Sequence, residues 1–125
     1  MNIAIVGATG NVGRKILEVL ESKSFSVDSL YLVASSKSAG SKLKFKGKEI
    51  EVENLETFDF SKSEITFFSA GGKISEKYAP LAAKHSLVID NSSYFRMDPD
   101  VPLIVPEVNS HDLKNYKKKN IIANA

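Results

Sequence analysis

The residues best suited to chemistry stand near the start of the chain. Gly7-Ala8-Thr9-Gly10-Asn11-Val12-Gly13 spells G-x-x-G-x-x-G, between an apolar run at residues 2–6 and a stretch with apolar residues at helical spacing. Glycines at a strand-to-helix turn let the backbone reverse tightly and approach a phosphate. The helix start adds N–H donors and the positive end of its dipole. Gly7 and Gly10 are expected to make the turn and the approach, and Gly13 the close packing of helix on strand. A plain strand-to-helix turn would use glycine too, but a turn after a strand and at the mouth of an amphipathic helix favours a dinucleotide.

The next polar cluster bears on which dinucleotide. An NAD site usually carries Asp or Glu about 20 residues past the fingerprint, on the ribose 2′-hydroxyl. Here the sequence reads Ala34-Ser35-Ser36-Lys37-Ser38, with hydroxyls and a cation and no acid. A carboxylate would repel a 2′-phosphate, whereas Ser35, Lys37 and Ser38 would bind it, so NADP is expected over NAD; the alternative is a polar loop with a solvated Lys. Ser69-Ala70-Gly71-Gly72 closes a later apolar run and would admit a nucleotide close to the backbone, or simply turn into a helix. Arg96 sits in a Pro-rich loop, able to clamp a phosphate or carboxylate, or to pair locally with Asp98 or Asp100. His85 and His111 read as structural, and no cluster of metal ligands stands out.

The elements that must position these groups follow from periodicity. Residues 2–6, 30–34, 65–68, 87–89, 103–105 and 121–123 read as short buried strands. From Asn11 to about Ser22 a helix is expected to bury Val12, Ile16, Val19 and Leu20 and to turn Arg14, Lys15, Glu18 and Glu21 outward. Residues 43–45 and 50–52 alternate around Gly47-Lys48 and predict an antiparallel hairpin. Ile74, Tyr78, Leu81, Ala82 and His85 predict a second helix, which Pro80 either kinks or begins. Ser110 reads as the N-cap of a short helix reaching about Lys117. Strands alternating with helices give an α/β fold: a doubly wound, mostly parallel Rossmann-type sheet with an inserted β-hairpin, one domain over residues 1–125. The absence of a closing helix after the last strand is expected of a piece of something longer.

Composition narrows the classes further. Seventeen Lys+Arg against 15 Asp+Glu leave a net charge of only +2. Lys42, Lys44, Lys46 and Lys48 alternate as on a wet strand face, and no aromatics gather beside them or beside Lys117–Lys119, which argues against nucleic acid. Apolar runs are far too short to span a membrane, and no secretory leader is legible, so a cytoplasmic location is expected. The chain contains no Cys, which removes a disulfide scaffold, a thiolate metal site and a cysteine nucleophile from these residues.

Taken together, the residues resemble aspartate-semialdehyde dehydrogenase, over essentially the whole chain as the N-terminal part of that enzyme. The resemblance is carried by residues 7–13, by Ala34-Ser-Ser-Lys-Ser-Ala-Gly40, by Ser69-Ala-Gly71 and Lys77-Tyr-Ala-Pro80. Its most specific stretch runs from Asp90-Asn-Ser-Ser-Tyr-Phe-Arg96 to Val105-Pro-Glu-Val-Asn109. It implies that Thr9, Gly10, Asn11 and Val12 lie under the pyrophosphate of NADP. Ser35, Lys37 and Ser38 hold its 2′-phosphate, Ser69, Ala70 and Gly71 border it, and Arg96 binds the substrate's phosphate or inorganic phosphate. Where Lys37 stands the family often has Arg, which implies a weaker grip here. The family reduces L-aspartyl 4-phosphate with NADPH to the semialdehyde and phosphate, through a Cys thioester and a His acid/base. It works on the diaminopimelate–lysine, threonine and methionine route, as a cytoplasmic homodimer. The family nucleophile would fall two positions past Ala125, so this chain is expected to carry no catalytic residue and to be inactive alone. N-acetyl-glutamyl-phosphate reductase shares the glycine start but not the 90–109 stretch. A complete non-catalytic nucleotide-binding module is the other alternative.

Overall fold

The computed structural model describes residues 1–22, 26–95, 98, 103–104 and 120–124. Eight strands form one sheet in the order β3-β4-β2-β1-β5-β6-β8-β7. Its centre is β1 (Asn2–Val6), paired in parallel with β2 (Ser29–Ala34) on one side and β5 (Ile65–Phe68) on the other. Beyond β5 come β6 (Leu87–Asp90), β8 (Ile121–Asn124) and the two-residue β7 (Leu103–Ile104), all parallel. Ala4, Ile5 and Val6 are fully buried, as a central strand covered on both faces requires, and this explains the unbroken apolar run. Two apolar clusters fill the two faces: one around Ala4, Val6, Phe60, Phe68 and Val88, the other around Ile3, Ile5, Leu17, Leu32 and Val52.

The predicted hairpin forms between β3 (Lys42–Phe45) and β4 (Lys48–Asn54), with β4 continuing in parallel beside β2. Its turn is Lys46-Gly47, both at positive φ (50° and 82°), the mirror-type turn that matches strand twist. Lys48 therefore opens β4 rather than closing the turn. Lys42 and Lys44 stand opposite Glu51 and Glu49, so these lysines are offset by carboxylates across the ladder.

Two helical expectations need correction. α1 (Asn11–Ser22) buries Gly13, Leu17 and Leu20, while Val12 and Val19 are exposed. The glycine lets the helix seat itself closest to the sheet at position 13, which rotates the contact line one row away from the valines. Val12, Ile16 and Val19 instead line an apolar hollow of about 330 Å³ shared with Phe67 of β5. α2 (Gly72–Ala82) begins eight residues before Pro80, which occupies the exposed last turn. Its buried positions are Ser75, Ala79 and Ala82, so Leu81 faces solvent, and His85 is exposed past the helix end. The helix expected from Ser110, His111 and most of the Pro-rich loop with Arg96 lie outside the described residues.

Candidate nucleotide site

Parallel strands ending side by side leave a crevice where the order of connection reverses, and β1 is that point, with β2 and β5 leaving it in opposite directions. A cavity of about 280 Å³ lies there, lined by Val6, Gly7, Thr9, Gly10, Ala34, Ser35, Leu55, Ser69, Ala70 and Ile74. The structure thus brings together the ends of three strands and six of the residues singled out from sequence: Gly7, Thr9, Gly10, Ser35, Ser69 and Ala70.

The turn between β1 and α1 is held by backbone. Gly7 and Ala8 donate N–H to the Val33 carbonyl at 2.8 and 3.3 Å, and Gly10 N–H donates to the Gly7 carbonyl at 3.1 Å. Gly7 has φ +87°, and a Cβ there would lie 2.8 Å from the Ser69 backbone; a Cβ on Gly13 would lie 2.1 Å from the Gly7 carbonyl oxygen. Both glycines are dictated by packing. Gly10 is different: a Cβ there would meet nothing nearer than 3.5 Å. The space over Gly10 is left open toward the crevice, which fits a pyrophosphate resting on the turn. Asn11 and Val12 open α1, where N–H groups lack partners within the helix; the Val12 side chain points away, into the apolar hollow.

The loop after β2 closes on itself. Ser38 and Ala39 both donate N–H to the Ser35 carbonyl at 3.0 Å, and Gly40 N–H donates to Val52 of β4 at 2.8 Å. Ser35 and Lys37 are exposed and Ser38 is half-buried. The Thr9 hydroxyl donates to Ser38 Oγ at 3.4 Å, which ties this loop to the glycine turn. After β5, Ser69 donates both N–H (2.9 Å) and hydroxyl (3.0 Å) to the Val6 carbonyl, and Gly71 caps α2 at φ 94°. Lys37, Ser38, Asn11 and Gly71 do not line the cavity itself.

Sequence reasoning passed over Asp90. It is fully buried at the end of β6, and its Oδ1 accepts from the Ser75 hydroxyl at 2.7 Å and from Ser92 N–H at 3.0 Å. Oδ2 accepts from the Ser92 hydroxyl at 2.8 Å. The carboxylate therefore pins the start of the loop leading to Arg96 onto α2. The one signal in the sequence was an acid closing an apolar strand. Arg96 itself lies outside the described residues. Among the described residues no group of three or more His, Asp or Glu could hold a metal, and no helix is long and apolar enough to cross a membrane.

Residues 2–116 match the family model described as semialdehyde dehydrogenase, NAD binding domain. The chain belongs to that family. Its sequence is 57% identical over 124 residues to an aspartate-semialdehyde dehydrogenase of Aquifex aeolicus, covering 98% of this chain and 36% of that protein. Among solved structures, aspartate semialdehyde dehydrogenase II of Vibrio cholerae complexed with ASA superposes with a TM-score of 0.95 at 51% identity. That superposition covers 99% of this chain and 41% of the other. The aspartate semialdehyde dehydrogenase of Candida albicans with NADP does so at 0.74 and 25% identity, covering 98% and 41%. The chain spans 36–39% of the length of the curated relatives it matches. The domain's fold is therefore that of the family's NAD-binding domain.

Proposed function

We propose that residues 1–125 are the NADP-binding part of an aspartate-semialdehyde dehydrogenase, which reduces L-aspartyl 4-phosphate to L-aspartate 4-semialdehyde and phosphate. The observation that carries this is the crevice at the β1–β2–β5 ends, open over Gly10 and bordered by a loop of hydroxyls and Lys37 without an acid. NADPH, when bound, supplies the hydride. The chain's own residues would bind and orient it: Thr9, Gly10 and the N–H groups of Asn11 and Val12 under the pyrophosphate, with Gly7 shaping that turn. Ser35, Lys37 and Ser38 take the 2′-phosphate, and Ser69, Ala70 and Gly71 form the wall beside the cofactor. Arg96 is assigned to substrate phosphate on the strength of the resemblance alone. With no Cys in the chain, a thioester cannot form on these residues, so the covalent step belongs to another part of the enzyme. The resemblance also supports a cytoplasmic homodimer for the whole enzyme, without nucleic-acid or membrane partners.

Titration calorimetry with NADP and NAD tests the assignment. The unmodified chain is expected to bind NADP more tightly, and Lys37→Glu to lose about 1.5–3 kcal/mol of NADP binding, the size of one charge-assisted phosphate contact. Equal affinity for the two cofactors in the unmodified chain would overturn it.

A further inference from the structure

One Lys is a thin complement for a phosphate dianion, and the structure offers a second cation. α1 meets the sheet along Gly13, Leu17 and Leu20, so its two flanks can be told apart. Val12, Ile16 and Val19 lie toward β5, since they share the hollow with Phe67. At about 100° per residue, the opposite flank carries Arg14, Glu18 and Glu21. That flank faces the β2 and hairpin side, because Lys46 N–H in the hairpin turn donates to the Glu21 carboxylate at 2.8 Å. Arg14 thus stands in the first turn of α1 on the side of the 35–41 loop. Its Nε donates to the Thr9 carbonyl at 3.0 Å, and the hydroxyl of that same Thr9 reaches Ser38. Thr9 joins the guanidinium to the loop. Neither carboxylate on the flank is committed to Arg14: Glu21 takes the Lys46 N–H, and Glu18 pairs with Lys15 at 3.9 Å.

We propose that Arg14 is a specificity-determining residue of this site, the second cation of the 2′-phosphate corner beside Lys37, Ser35 and Ser38. The proposal rests on the NADP assignment above. Holding Nε on Thr9 fixes the plane of the guanidinium and leaves its terminal N–H groups for an anion, a geometry a bare ammonium cannot match.

The test is calorimetry with NADP and NAD on the unmodified chain, Arg14→Ala, Arg14→Lys, Lys37→Ala and the Arg14→Ala/Lys37→Ala double variant, with melting temperatures alongside. Arg14→Ala is expected to weaken NADP roughly ten- to a hundredfold and to leave NAD unchanged. Arg14→Lys should recover part of the loss. The double variant should depart from the sum of the single effects, as it must when two cations share one ligand group. An equal loss for both cofactors would make Arg14 only a brace for the glycine turn and overturn the proposal; so would no loss. Selective loss in Lys37→Ala with Arg14→Ala silent defeats this proposal alone. Equal binding of both cofactors by the unmodified chain, or binding of neither, defeats the NADP assignment and this inference with it.

Discussion

The two loops that meet at the crevice are built on opposite principles. The glycine turn owes its shape to atoms that are missing: Gly13 and Gly7 stand where a Cβ would drive into the Gly7 carbonyl and the Ser69 backbone at 2.1 and 2.8 Å. The loop after β2 closes through the Ser35 carbonyl and hangs on β4 by two backbone bonds at Val52, one from Gly40 N–H and one to the Ser41 carbonyl, so the exposed side chains of Ser35 and Lys37 are free to vary without disturbing the strands. In the first region residue identity is a matter of packing, in the second a matter of charge. A bound dinucleotide needs both, a rigid floor under the pyrophosphate and a tunable wall at the ribose. Gly10 sits in the first region and behaves as a member of the second, because only a ligand would object to a side chain there.

The largest effect should come from the packing side. Gly13→Ala forces a methyl against a backbone oxygen that cannot swing away, and α1 must lift from β1. We expect a loss of about 3 kcal/mol or more, seen as a fall of roughly 10 °C in thermal unfolding for a domain of this size. A variant melting within about 2 °C of the unmodified chain would show that α1 yields easily, and the contrast between scaffold and wall would break. Gly10→Ala sharpens the same contrast from the other direction. A Cβ there meets no close atom, and the substitution costs only the poorer N-cap that alanine makes in front of α1, so melting should fall only slightly while NADP and NAD both weaken by about tenfold or more through lost backbone approach. Parallel calorimetry and thermal unfolding separate the two outcomes. Unfolding of Gly10→Ala would place all three glycines in the scaffold.

Much of this was legible because it is local. The strand–glycine–helix order at residues 2–22, the missing acid after β2 and the alternating hairpin each depend on residues adjacent in sequence. What escaped depends on neighbours far along the chain. Val12 and Val19 have the right period for burial, but the row that contacts the sheet is chosen by how closely Gly13 lets the helix approach. Pro80 reads as a break, yet it falls inside α2 in the exposed last turn, where it removes one bond to the carbonyl four residues back and the helix ends two residues on. Asp90 and Ser75 are 15 residues apart, and only the β5–α2–β6 crossover shows that they meet. Arg14 looked like one more solvated charge until its flank of α1 was located by the Glu21–Lys46 bond.

The smallest expected effect lies at the far ends of the same strands, in a device that is pure scaffold. Asp59 caps the short 3-10 turn Phe60–Lys62 that feeds β5, with Oδ1 accepting the Ser61 hydroxyl at 2.7 Å and the Ser61 N–H at 3.0 Å. The Ser61 hydroxyl, then the Ser61 N–H, then the charges of Lys62 and His85 hold this carboxyl below its ordinary value of 3.8. A lowered folded-state pKa means that the folded chain prefers the ionised form more than the unfolded chain does. Its contribution is therefore present above about pH 4 and fades as the pH drops through the lowered value. The group is exposed, so the effect is small. Asp59→Asn should lower the melting temperature slightly at neutral pH, and the two proteins should converge as acid protonates Asp59. NADP affinity at neutral pH should not change, since the turn lies away from the crevice. Thermal unfolding of both proteins between about pH 7 and pH 2.5 reads the sign directly. A gap that widens toward acid would mean the carboxylate is a burden on the fold, and a fall in NADP affinity would mean that scaffold and wall are coupled along β5.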